Sequence, residues 1–227
     1  MINKELNKRV VTSVLLFIIL LIIIFSHRYV FGIALLIFSF AICAEFNNIF
    51  RKLVGDLYLP TAKFNPKFFA LMWIPFIYMF FIFCPLTFDN LYVFEGPTFF
   101  LFIISICFCT DIGGYVIGKT IGGKKLTKIS PNKTISGSIG SFLFSIIPLI
   151  IFVNLDNFQL TINFNSIILC FLISLVSQMG DLFISYLKRK AKIKDTGNIL
   201  PGHGGILDRA DGIILAIPFS NLLLNII

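Results

Sequence analysis

This sequence has few charged residues. Only 13% of its 227 residues are Asp, Glu, Lys or Arg, whereas 57% are hydrophobic, and a soluble domain usually carries about 25% charged residues. So few charges cannot cover a water-exposed surface of this size. The composition therefore excludes a soluble globular domain and predicts one integral membrane domain, residues 1–227.

Cysteine is also scarce, and every cysteine lies in an apolar stretch, which argues against a metal-binding or disulfide framework. The five residues are Cys43, Cys84, Cys107, Cys109 and Cys170. The 19 Lys and Arg residues outnumber the 11 Asp and Glu residues. They do not form a folded basic domain, so we expect no nucleic-acid partner. Membrane topology and anionic lipid headgroups explain that excess instead.

Long apolar runs are what the sequence has most of. A helix needs about 20 apolar residues to cross the bilayer core, and seven segments approach that length. We therefore predict an all-α, polytopic bundle of about seven transmembrane helices. The predicted spans are residues 10–25, 30–50, 68–85, 97–118, 138–153, 166–184 and 206–227, of which the last breaks into an amphipathic start and an apolar end.

The orientation follows from the positive-inside rule. With the N-terminus in the cytoplasm and seven alternating spans, all of the 19 basic residues except Arg28 fall in the N-terminus or in inner loops. Asp89, Glu95 and Asp156 fall in the outer loops. No small-residue cleavage site follows residues 10–25, so we predict a retained first span rather than a signal peptide.

Polar chemistry is concentrated in two predicted inner segments, residues 111–137 and 180–211. Asp111 and Asp181 each lie at the cytoplasmic end of an apolar run. An ionised carboxylate within a span costs about 2.5–3.5 kcal/mol on insertion scales, so each of these two needs a cation or a metal ion as partner.

Asp208 and Asp211 are three residues apart and would share one face of a helix. Carboxylates at this spacing suit Mg²⁺, which usually takes one or two of them and leaves positions for substrate phosphates. The simpler alternative is pairing with Lys188 or Arg189 in a solvated cluster. A dense basic loop and a glycine turn beside them favour a metal–phosphate site.

Phosphate-binding candidates surround these carboxylates. Lys188, Arg189 and Lys194 follow the span that carries Asp181, and Lys and Arg are the side chains that hold phosphate oxygens. Lys133 precedes a predicted helix, whose N-terminus is an anion site, although the hydroxyls beside it are equally typical of helix caps.

A glycine turn, residues 201–205, could bring successive backbone N–H groups to one anion, with His203 as a donor to phosphate. Alone it is a weak signal. Gly114 and Gly118, four residues apart, favour close helix packing instead.

Residues 185–211 read S-Y-L-K-R, four residues, then K-D-T-G-N-I-L-P-G-H-G-G-I-L-D-R-A-D. This closely resembles the C-terminal signature of the phosphatidate cytidylyltransferases, also called CDP-diacylglycerol synthases. G-D-L at 180–182, D-I-G-G-Y at 111–115 and I-S-P-N-K-T at 129–134 also fit, and Arg9 and Glu45 stand where the family has similar residues. The resemblance covers the whole chain loosely and its second half closely.

The resemblance implies an enzyme that transfers the cytidylyl group of CTP to phosphatidate, giving CDP-diacylglycerol and pyrophosphate in phospholipid biosynthesis. It implies Mg²⁺, with a second metal ion possible, and a site facing the cytoplasm from the cell inner (plasma) membrane, among membrane lipids. Because dimers are common among such proteins, a homodimer is a possible assembly.

The resemblance also implies the roles of the site residues. The catalytic residues would be Asp181, Asp208, Asp211, Lys188 and Arg189, and the metal ligands would be the three aspartates among them. The substrate-binding residues would be Asp111, Ser130, Lys133, Thr134, Ser185, Lys194, Asp195, His203, Gly204 and Gly205.

Three positions depart from the family pattern. Ala210 replaces a larger apolar residue, which is a mild change. Ser136 and Ile184 stand where the family usually has Glu, so a role for those two positions is in doubt. The chain is also short for the family.

Three other functions compete with this one. A CDP-alcohol phosphotransferase would need the pattern DGxxAR…GxxxDxxxD, which is absent. A transporter would place charges at the bilayer midplane and often show internal repeats, whereas only Glu45 is clearly intramembrane here. A catalytically inactive scaffold would be consistent with the two missing carboxylates.

Overall fold

A computed structural model describes residues 2–55, 96–127, 130–155, 160–200 and 204–224. The described residues form eight helices and no strand, so the all-α class is confirmed. The helices are α1 (Ile2–Ile24), α2 (Arg28–Gly55), α3 (Gly96–Ile121), α4 (Ile135–Phe144), α5 (Ile147–Phe152), α6 (Phe164–Lys190), α7 (Leu207–Ala210) and α8 (Ile213–Leu224).

Four helical segments of the described chain are long and apolar enough to cross a membrane, and each overlaps a predicted span. They are Tyr29–Leu53, Thr98–Ile121, Ile135–Phe152 and Phe164–Lys190. The apolar part of α1, Val14–Ile24, is shorter, and the predicted span 68–85 lies outside the described residues. The seven-span count and the N-terminal orientation therefore stay predictions.

The predicted span 206–227 is divided in two, as its pattern indicated. Helix α7 is short, and α8 begins after Asp211 and Gly212. A Cβ atom at Gly212 would lie 2.4 Å from Ser177 Oγ, so only glycine lets this break pack against α6. The break leaves Asp211 between two helices rather than inside one.

The chain divides into two compact units. The first unit is Met1–Asp89 with Leu187–Ala210, and the second is Asn90–Tyr186 with Asp211–Ile227. The second unit contains α3, α4, α5 and α8 and most of α6. The first contains α1, α2, the last residues of α6, and α7.

Glycines bring α3 and α4 into backbone contact within the second unit. A Cβ atom at Gly113 would lie 2.6 Å from the carbonyl oxygen of Gly140, and one at Gly118 would lie 2.9 Å from Thr134 Oγ1. A Cβ atom at Gly140 would lie 2.4 Å from Ile117 Cβ. Small residues allow such close approach in membrane helices. The glycines of α3 therefore pack closely against α4, as Gly114 and Gly118 predicted.

Replacing Gly140 with valine should separate the two helices. Because even the first added carbon overlaps Ile117, we expect a loss of about 3 kcal/mol of stability and a clearly lower Tm in detergent. Ile139→Val is the matched control, since Ile139 is 57% exposed and its change removes only one outer methylene. Equal Tm values for the two variants would contradict this packing.

Candidate functional site

Three helices of the second unit are joined by buried hydroxyl groups. Thr110 Oγ1 donates to Ser174 Oγ at 3.0 Å, and Ser141 Oγ donates to the Thr110 carbonyl at 2.8 Å. Ser138 Oγ donates to Gln178 Oε1 at 2.6 Å. These bonds fix α3, α4 and α6 against one another. They thereby set the positions of Asp111, directly after Thr110, and of Asp181 on α6.

Asp111, Asp181 and Asp211 form what we call the acidic cluster. Lys133 makes an ion pair with Asp181 Oδ2, and Asp111 interacts electrostatically with both Asp181 and Lys133. Asp211 interacts with both of the other carboxylates. Three segments distant in sequence therefore bring three carboxylates together, and two of these carboxylates, Asp111 and Asp181, interact with Lys133.

The charge of the acidic cluster is not balanced by Lys133. Burial and then repulsion from Asp181 raise the pKa of Asp211 to about 7, and the hydrogen bond from the Gly212 amide opposes them only in part. A carboxyl group whose pKa is raised in this way lies where a further positive charge would be favourable. The cluster therefore has the electrostatic character of a cation site.

The donor set fits Mg²⁺ as a partial set of ligands. Among the residues that the structure describes, no group of three Asp, Glu, His or Cys side chains is close enough to hold a metal ion alone. Mg²⁺ usually uses one or two carboxylates and completes its octahedron with water and substrate phosphates. Two members of the acidic cluster are sufficient for that mode, whereas a closed protein cage would need more.

Lys133 is held by a closed loop before α4. The Leu126 amide donates to the Lys133 carbonyl at 2.8 Å, and the Ile135 amide donates to the Lys124 carbonyl at 3.0 Å. Thr134 caps α4 by accepting from the Gly137 amide at 3.0 Å, as the alternative of a helix cap predicted. Lys133 therefore stands one residue before the N-cap, where a helix favours anions.

The neighbouring serines are held by structural hydrogen bonds, which involve the backbone of Ser130 and the hydroxyl of Ser136. Ser130 accepts from the Lys133 amide through its carbonyl at 3.1 Å, and its own amide donates to Thr127 Oγ1 at 3.2 Å. The Ser136 hydroxyl donates to the Gly122 carbonyl. Substrate roles for Ser130 and Thr134 stay predictions.

The first unit holds a second polar centre at Asp208. Its Oδ1 accepts from Lys188 Nζ at 2.8 Å, and its Oδ2 accepts from the amides of Thr196 and Gly205 at 2.8 and 3.0 Å. Burial alone would raise the pKa of Asp208, but the bonds from Lys188, Thr196 and Gly205 outweigh it and lower that pKa. The pairing with Lys188 that the sequence left open is formed here. The metal role of Asp208 stays a prediction.

Glu45 is the least expected member of this centre. Its side chain is 2% exposed on α2, and its carboxylate accepts from Thr196 Oγ1 at 2.7 Å and from the amides of Ile206 and Leu207 at 3.0 and 2.9 Å. The sequence marked Glu45 as an intramembrane acid at a position where the family that the chain resembles has a similar residue. Its isolation in an apolar helix was the available signal, but nothing in the sequence identified its partners.

The remaining predicted residues are more scattered. Ser185 Oγ donates to Asp181 Oδ1 at 3.2 Å, whereas Arg189, Lys194 and Asp195 are exposed. Gly204 has φ +85°, and a Cβ atom there would lie 3.0 Å from Asp208 Oδ2. His203 lies outside the described residues.

The helices define an integral membrane protein, and its two polar centres pair carboxylates with Lys133 and Lys188. Residues 52–227, more than half of the chain, match the model of the cytidylyltransferase family, so the chain belongs to that family.

Bacterial phosphatidate cytidylyltransferases are among its similar relatives. The chain is 41% identical to that of Staphylococcus saprophyticus over 133 residues, 57% of this chain and 50% of the relative. It is 41% identical to that of Bacillus subtilis over 130 residues, 57% of this chain and 48% of the relative. The protein from Rickettsia bellii is 45% identical over 126 residues, 51% of this chain and 54% of the relative. The chain thus spans about half the length of the curated relatives it matches.

Proposed function

We propose that this protein transfers the cytidylyl group of CTP to phosphatidate, forming CDP-diacylglycerol and pyrophosphate. Membership of the cytidylyltransferase family supports the transferred group, and the names of the relatives supply the acceptor lipid. The structural observation that carries the proposal is the acidic cluster around Lys133. That cluster suits the joining of two polyanions.

The reaction needs little acid–base chemistry. A phosphate oxygen of phosphatidate attacks the α-phosphorus of CTP, a new P–O bond forms, and the bond to the β-phosphate bridging oxygen breaks to release pyrophosphate. Because the second pKa of a phosphomonoester is about 6, the attacking oxygen is already ionised at neutral pH. The difficulty is bringing the substrates together and stabilising the charge that moves onto pyrophosphate.

The acidic cluster would serve this chemistry through its charge. Asp181 and Asp211 would hold Mg²⁺, with Asp111 beside them. When bound, Mg²⁺ neutralises phosphate charge and stabilises the leaving pyrophosphate. Lys133 would leave its pair with Asp181 and bind a substrate phosphate at the N-terminus of α4.

The location belongs to the same proposal. We place the site on the cytoplasmic face of the plasma membrane, because the predicted inner loops carry nearly all of the basic residues. Labelling of a cysteine introduced at Lys124 by an impermeant reagent should occur in inverted vesicles and not in intact cells. Cross-linking in the same vesicles would test the possible homodimer.

Incorporation of radiolabelled CTP into lipid tests the activity directly. Purified full-length protein in detergent, given phosphatidate and CTP, should produce labelled CDP-diacylglycerol and pyrophosphate with Mg²⁺ and neither with EDTA. Diacylglycerol in place of phosphatidate should give no product, because it lacks the attacking phosphate. Absence of pyrophosphate under every divalent-ion condition would refute the proposal.

Lys133→Gln should lower kcat/KM about thirtyfold, because a charge-assisted contact to phosphate contributes about 2 kcal/mol. The measurement is the steady-state rate at varied CTP and phosphatidate. Lys125→Gln is the matched control, since it removes an exposed lysine of the same loop and should change the rate less than twofold. Equal losses in both variants would show that only the general positive charge of the loop matters.

A further inference from the structure

Among the residues that the structure describes, the hydrogen-bond donors to the Glu45 carboxylate come from one stretch near the end of the chain. The donors are Thr196 Oγ1 and the amides of Ile206 and Leu207. Glu45 is 151 residues away in sequence from Thr196. The side chain therefore connects α2 to Thr196, Ile206 and Leu207.

Asp208 completes the same connection from within the loop. It accepts from the amides of Thr196 and Gly205, and Thr196 Oγ1 lies 2.7 Å from Glu45 Oε2 and 3.1 Å from Asp208 Oδ2. The two carboxylates together bind four backbone amides, those of residues 196, 205, 206 and 207. We call Glu45, Asp208 and Thr196 the carboxylate brace.

The loop sequence is built around this carboxylate. A Cβ atom at Gly197 would lie 2.5 Å from Glu45 Oε1, and one at Gly205 would lie 2.3 Å from Glu45 Oε2 and 2.1 Å from Thr196 Oγ1. A side chain at either position would therefore force the Glu45 carboxylate to move. If position 45 served only to pack α2, an apolar side chain would be more stable there, because burying a carboxylate costs desolvation free energy.

The brace also holds the residues next to a hydrogen bond between Leu200 and Gly204. The Leu200 amide donates to the Gly204 carbonyl at 2.9 Å, and Thr196 and Gly205 flank that closure. Since folding a loop on a ligand costs affinity, a loop held in its bound shape by other contacts binds more tightly. The backbone at Gly204 and Gly205 is held in this way.

We propose that Glu45 is a positioning residue for the nucleotide, holding residues 196–200 and 204–207 in the conformation that binds CTP. This inference rests on the proposed function and on the substrate-binding role that the family resemblance implies for Gly204 and Gly205. Glu45 acts through the loop and does not touch the reacting atoms. Its effect is therefore expected in CTP affinity rather than in the chemical step.

The first test measures the loop without any reaction. Full-length protein in detergent is treated with trypsin, and cleavage after Lys194, which is exposed, is followed by mass spectrometry. Glu45→Gln should speed this cleavage at least tenfold, because an amide cannot accept from all three donors. Ser39→Ala is the matched control, since Ser39 is also buried on α2 but its hydroxyl has no hydrogen-bond partner within the described part of the chain. It should be cleaved at the wild-type rate.

The second test separates positioning from folding. Glu45→Gln should raise the KM for CTP about tenfold, because apparent affinity falls with the fraction of loops in the competent shape, while kcat and the KM for phosphatidate change less than threefold. A purely structural role would lower kcat and Tm together and leave the KM for CTP unchanged. That result, or unchanged cleavage at Lys194, would overturn the proposal.

Thr196 provides a milder pair of variants if Glu45→Gln does not fold. Thr196→Val removes the hydroxyl that touches both carboxylates and should raise cleavage and the KM for CTP, whereas Thr196→Ser keeps the hydroxyl and should restore both. Failure of serine to restore them would also overturn the proposal. If the wild-type protein forms no CDP-diacylglycerol, the proposed function and the positioning role fail together, and the cleavage rates still decide whether the brace exists.

Discussion

Replacing Asp181 with asparagine is expected to lower CTP-dependent turnover at least a thousandfold while leaving the protein folded. Asp181 is the centre of the acidic cluster, because it pairs with Lys133, accepts from Ser185 and interacts with Asp111 and Asp211. Asparagine keeps the shape of the side chain but removes the negative charge that would hold Mg²⁺. Loss of one preorganised electrostatic group typically costs about 10²–10³ in rate, and loss of a metal ligand should exceed that.

The measurement is kcat at saturating CTP and phosphatidate, across a titration of Mg²⁺. The residual activity of Asp181→Asn should require a much higher Mg²⁺ concentration. The Tm of this variant in EDTA should equal or exceed that of the wild type, because Asp111 and Asp211 are no longer repelled by a negative charge at position 181. Asp156→Asn serves as the control, since the charge pattern places Asp156 in an outer loop. Full activity of Asp181→Asn would refute the metal assignment.

Replacing Asp208 with asparagine should give the opposite pattern, with a large loss of stability. Lys188 and Asp208 are 16% and 8% exposed and 2.8 Å apart, so removing one charge leaves the other buried without its partner. Such a loss typically destabilises by about 3–5 kcal/mol, and asparagine also weakens the acceptor for the Thr196 and Gly205 amides. The Tm in EDTA should therefore fall sharply.

The Mg²⁺ titration distinguishes this structural role from the metal role predicted for Asp208. If the pairing with Lys188 dominates, the activity that remains in Asp208→Asn will show the wild-type half-saturating Mg²⁺ concentration. The double variant Asp208→Asn with Lys188→Met should lose less stability than the two single variants lose together, because the effects of mutating residues in contact are not additive. An unchanged Tm together with a tenfold higher Mg²⁺ requirement would instead identify Asp208 as a metal ligand.

Much of the helical architecture could be predicted because apolarity over about 20 contiguous residues is a local property of the chain. The segments predicted at 30–50, 97–118, 138–153 and 166–184 overlap the four described spans. Gly114 and Gly118 likewise predicted close packing, since the absence of a side chain has the same consequence wherever a second helix approaches. Bounds differed at the helix ends, where α6 continues through Lys190 because Lys and Arg favour the last turn of a helix.

The site could be predicted only as a collection of residue types. Asp111, Lys133, Asp181 and Asp211 were each candidates, but their meeting depends on how α3, the loop before α4, α6 and the break before α8 pack. Glycine contacts and buried hydroxyls decide that packing. The sequence does not show which residue a given glycine or hydroxyl will contact.

The sequence by itself determined a helical membrane protein, the identity of its charged residues and, through its motifs, the family chemistry to expect. Only the tertiary structure decided that Asp208 pairs with Lys188 and that Glu45 accepts hydrogen bonds from Thr196, Ile206 and Leu207. The physical reason is that hydrophobicity acts residue by residue along the chain, whereas a buried charge is stabilised by whichever donors the packing brings within about 3 Å.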